Sequence, residues 1–128
     1  MTYSETSLAK HRLQCSHEAL ADAQLLLKSG SASGAVAMAL KAAKEAAEAA
    51  LLAAGAQAVR GESILFLVAQ FVRDGRLSPA SFNALRTMMD MCHMFNERDM
   101  AAANRPEAAA AIENLKAFIR EMGSMVSQ

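Results

Sequence analysis

AAKEAAEAALLAAG, residues 42–55, is the stretch that decides the fold. Its Ala and Leu residues recur at three- and four-residue intervals, Lys44, Glu45 and Glu48 stand between them, and Gly55 closes the run. That spacing is the mark of a helix with one apolar face. Ala is the best helix former, and a face built of such small side chains lets a neighbouring helix approach closely. A helix from about Ser33 to Ala54, made for close packing, is the expectation.

The same periodicity continues on either side of it. A first helix from about Thr6 to Ser29 carries the stripe Leu13, Leu20, Leu27 and stops at Gly30 in SGSASG. ESILFLVAQFVRDG, residues 62–75, is the most apolar segment, which predicts a helix at the centre of the bundle. Ser78 followed by Pro79 starts a fourth helix, since Ser caps free amides and Pro suits the first turn. Asn104, Arg105 and Pro106 break the chain before EAAAAIENLKAFIREM, a last amphipathic helix expected to end at Gly123. No stretch alternates as a strand does. The fold class is therefore all-α, an antiparallel bundle of about five helices with short connections. Residues 1–128 are read as a single domain.

Composition narrows the function. Thirteen Lys plus Arg balance thirteen Asp plus Glu, so no global field favours nucleic acid or membrane, and any polyanion contact must be local. There is no apolar run of membrane-spanning length and no basic-then-apolar leader at the start, which makes a cytoplasmic location the expectation. The two cysteines, Cys15 and Cys92, lie inside helical patterns and read as reduced, packed thiols. His11 and Cys15 are one turn apart, but His17 is rotated off their face, so no metal site is expected. No cofactor is expected either.

RTMMDMCHMFNE, residues 86–97, carries the chemistry. On a helix, Phe82, Leu85, Met88, Met89, Cys92 and Phe95 share one face, an ordinary core seam. Arg86, Asp90, His93 and Glu97 share an adjacent arc, each three or four residues from the next, where side chains can touch. The bland reading is a surface ion pair between Arg86 and Asp90, with His93 bordering solvent. The sharper reading is a site.

The order of these features resembles the HEPN superfamily of small helical bundles. AAKEAAEAALLAAG is similar to that family's second-helix pattern of small residues, one Glu and A-L-L before Gly. The fourth helix resembles the family motif R-x(4 to 6)-H, often continued as H-x-Y and an acidic or amide pair, here His93, Met94, Phe95, Asn96 and Glu97. Two positions depart from it. In the subgroup that works beside small nucleotidyltransferases the Arg stands five positions before His, which is Met88 here, and Phe95 occupies the Tyr position. Arg86 satisfies only the looser spacing, and Tyr3 is the chain's single Tyr.

The resemblance implies a HEPN-like four-helix core, a homodimer, and one of two activities. In the first, the bundle binds a nucleotide or RNA, or a nucleotidyltransferase partner, as in toxin–antitoxin pairs. In the second it is a metal-independent ribonuclease of toxin type, with Arg86 clamping phosphate and His93 moving the proton, a task suited to a group that titrates near neutrality. Asp90, Asn96, Glu97 and Arg98 would support the ligand. Glu45 either belongs to a solvated stripe with Lys41, Lys44 and Glu48 or crosses the bundle to hold Arg86 or His93. The two departures favour binding over catalysis. A helical adaptor or chaperone outside this family remains the third reading.

Overall fold

The computed structural model describes residues 3–55, 64–98 and 105–126. Among them run α1 (Tyr3–Lys28), α2 (Ala32–Ala53), α3 (Ile64–Arg73), α4 (Pro79–Arg98) and α5 (Arg105–Val126), with no strand. The all-α class and the bundle expected from periodicity are what the chain adopts.

The Ala-rich helix is the axis of the bundle. Its buried residues include Ala35, Ala39, Ala42, Ala43, Ala46, Ala47 and Ala50, too wide an arc for one neighbour, and α1, α3, α4 and α5 all pack on it. The longest of these contacts is with α1. There Ser16, wholly buried, donates its hydroxyl to the Ala42 carbonyl at 2.6 Å, a distance possible only because neither helix has bulk at the crossing. The pair is joined by a tight turn. Gly30, at φ +94°, donates to the Leu27 carbonyl and Ser31 donates to the Leu26 carbonyl, the paired bonds of a Schellman end that only a left-handed residue permits.

Small residues on α2 leave volume that other helices must fill. Leu85 and Met88 from α4 and Leu115, Phe118, Ile119 and Met122 from α5 do so, all essentially inaccessible to solvent. The start of α4 is as expected: Pro79 is its first residue, and the Ser81 amide donates to the Ser78 hydroxyl at 3.2 Å.

Two expectations fail. The most apolar segment is not central, because α3 buries only Val68 and Phe71 and leaves Phe66 52% exposed. At ten residues it spans only about 15 Å. The centre goes instead to the helix whose small side chains admit neighbours on several sides. Nor does Gly123 end the last helix, which runs on to Val126. Met122, Met125 and Val126 are buried around it, so their packing carries the helix through a residue with poor intrinsic propensity.

This arrangement predicts an asymmetric response to added bulk on α2. Ala46→Leu, at a position closed to solvent, should cost roughly 1–3 kcal/mol or more by overpacking, whereas Ala37→Leu on the exposed face should stay within about 0.5 kcal/mol of the parent. Urea denaturation followed by circular dichroism measures both.

Candidate functional site on the fourth helix

Helix α4 divides its faces much as the spacing predicts. Leu85 and Met88 are buried, Phe82, Met89 and Cys92 are half-buried against the core, and Arg86, Asp90 and His93 are exposed. Asn96, Glu97 and Arg98 fall on the last turn of the helix, and their side chains, like that of Phe95, lie outside the described residues.

Arg86 and Asp90 do not pair. Neither has an ion pair or hydrogen bond among the described residues, so the guanidinium is uncommitted and turned to water. An exposed pair at this spacing gains only a few tenths of a kcal/mol, too little to hold two side chains in one geometry. Arg86 and His93 share a face but stand about two turns, roughly 10 Å, apart along the axis. Met88 is 0% exposed, sealed in the core. A cation could not replace it there without burying an unpaired charge.

Glu45 takes a different partner from either expected for it. Its carboxylate accepts from Arg12 Nη1 at 3.3 Å, and the same nitrogen lies 3.5 Å from Glu48, so this acidic edge of α2 is turned to α1 and not to α4. The cause is the close α1–α2 crossing, which brings Arg12 alongside before any residue of α4 can reach. His11 Nε2 and Cys15 Sγ are 3.7 Å apart on α1, and no group of three metal-ligating side chains exists among the described residues.

A carboxylate that no local sequence pattern marks holds α4. Glu121 of α5 accepts from the Ser78 amide at 3.0 Å, from the Ser78 hydroxyl at 3.2 Å and from the Ser81 hydroxyl. A negative group at a helix N-terminus meets both the free amides and the helix dipole. Its partners are about forty residues away in sequence, so no local spacing announces it. The SPAS run at 78–81 offered the only signal, since a second Ser inside the first turn needs an acceptor once it is buried.

The family comparison agrees with this frame. A family model described as the HEPN domain matches residues 9–125, nearly the whole chain. The chain belongs to the HEPN family. Among curated proteins, none matches it. In this HEPN protein the matched span includes all of α4, and no helix among the described residues is long and apolar enough to cross a membrane.

Removing the carboxylate that anchors the site helix should be measurable without any ligand. Glu121→Ala should lower stability by about 1–2 kcal/mol and speed amide exchange in the first turn of α4, because three donors lose a charged acceptor. Hydrogen exchange read by mass spectrometry would show protection unchanged at residues 78–83 if the clamp has no such role.

Proposed function

We propose that this HEPN protein is a dimeric binding bundle that does not cut RNA. Its exposed α4 row takes a phosphate of a nucleotide or RNA, or engages a nucleotidyltransferase partner of the toxin–antitoxin kind. The observation that carries the reading is the burial of Met88. Where the related subgroup has its Arg, this chain has a core residue. The nearest substitute is Arg86, two turns from His93 and followed by Asp90.

Cleavage requires a phosphate clamp and a proton-transferring imidazole on the same scissile group, held within a few tenths of an ångström. Two exposed side chains about two turns apart on one helix do not meet that tolerance, yet each can still touch a docked ligand or partner. Arg86 supports docking because its guanidinium has no partner among the described residues and its planar fork matches a phosphate or a partner's carboxylate. Phe95 lacks the hydroxyl that a nucleotidyltransferase could modify at that position, so such a partner would bind the row without modifying it there.

The ribonuclease reading keeps one supporting observation, that Arg86 and His93 are exposed on one face. Incubation with single-stranded RNA in the presence of a chelator separates the two. Neither the wild type nor His93→Ala should cleave, while Arg86→Ala should weaken RNA or nucleotide binding by roughly tenfold to a hundredfold, the loss of one charge-assisted contact. Cleavage by the wild type that disappears in His93→Ala would replace binding with catalysis.

For the dimer, the supporting feature is α3, where exposed Phe66 sits among half-buried Ile64, Leu65 and Leu67. These neighbours pack on the core, and the part of the Phe66 ring that is open to solvent is the apolar surface a second copy would cover. Light scattering on a sizing column should give twice the chain mass for the wild type and a monomer for Phe66→Glu. A monomeric wild type at micromolar concentration would end the dimer proposal.

A further inference from the structure

On the flank of α5 that faces α1, away from α4, a cleft of about 340 Å³ opens to solvent. Its floor is apolar, formed by Leu13, Leu20 and Ile119. Its rim is nitrogenous, formed by His17, Lys116 and Arg120. In a chain of zero net charge this is a local concentration of donors and cations over a greasy surface. His17 and Arg120 have no hydrogen bond or ion pair among the described residues. Lys116 meets Glu113 at 2.8 Å, but the lysine is only half-buried and the glutamate exposed, and such a pair yields readily to a better anion.

Gly123 lines the same cleft. It lies inside α5, not at its end, and a Cβ built on it would stand 3.5 Å from Leu13, an ordinary contact. The approach of α1 therefore does not require glycine, and glycine is the poorer helix former. Gly123 lines the cleft with backbone alone, so a side chain added there would take up part of its volume.

We propose that the α1–α5 cleft binds a small organic anion, with a phosphate or carboxylate head on Arg120 and Lys116 and an apolar body on Leu13, Leu20 and Ile119. The guanidinium offers paired donors to such a head. The volume is at the small end of the range for small-molecule sites, roughly 300–1,000 Å³, enough for a ring system or a short acyl chain and not for a strand of nucleic acid. The site is separate from the α4 row and does not rest on how that row is read.

The fluorescent probe 1-naphthyl phosphate tests it, with little interference because the chain has no Trp. Saturable binding is expected, weakened at least about tenfold in the Arg120→Ala, Lys116→Ala double variant and unchanged in the Arg73→Ala, Lys41→Ala double variant, a charge-matched control outside the cleft. Naphthol and inorganic phosphate, each half of the ligand, should bind at least about tenfold less well than the whole. Gly123→Leu, shown by circular dichroism to be folded, should fill the cleft and abolish binding. Displacement by adenosine monophosphate points to a nucleotide as the natural ligand, and displacement by octyl phosphate to an acyl or lipid phosphate. No binding by the wild type, equal binding by the double variant, or naphthol binding as well as its phosphate overturns the proposal.

Discussion

The whole bundle depends on how closely α1 can lie against α2. Ser16 reaches the Ala42 carbonyl at 2.6 Å because the facing surface of α2 is Ala at nearly every inward position. Helices normally pack with axes about 8–10 Å apart, and small contact residues sit at the near end of that range. Once the pair is this close, Arg12 falls beside Glu45 and Glu48 and ties the solvent edge of the same seam. The hydroxyl's partner is already a helical acceptor, so its bond adds direction more than energy.

From that tight pair the rest follows by volume. A helix of alanines cannot fill a core, so the large side chains come from α4 and α5, and α3 is left along the outside with part of its apolar surface uncovered. Position α4 then owes to two things, the seam of Leu85 and Met88 beneath it and the Glu121 carboxylate at its start. The exposed row of Arg86, Asp90 and His93 is what remains when the inward face is used for packing. Arg86 and Asp90 stand where the helix puts them, since they do not pair with each other.

Much of this was legible in the sequence. The Ala run, the Gly30 stop and the Ser78–Pro79 start each rest on local chemistry, which a single chain displays directly. The division of 82–93 into a core face and a polar row was legible for the same reason. What could not be read was anything set by competition between helices. Apolarity suggested that 62–75 belongs at the centre, but the place went to the segment that could be approached from several sides. Glu45 had several cations within plausible reach, and the closest helix decided among them. Gly123 looked like a stop because glycine usually is one, and only the buried Met122, Met125 and Val126 show why the helix ignores it. The carboxylate of Glu121 had no local mark at all.

The buried alanines of α2 also bear on how such a bundle can change over evolutionary time. Nearly every inward position of that helix is filled to the limit by a single methyl group, so almost any substitution there is a gain in size, and the axis has little freedom to drift. The exposed faces of α4 and the α1–α5 flank carry no such restriction. A scaffold of this kind separates its tasks in space: the part that specifies the shape is nearly closed to variation, and the parts that meet other molecules can be rewritten one residue at a time. New binding preferences can then arise on it without the fold having to be solved again.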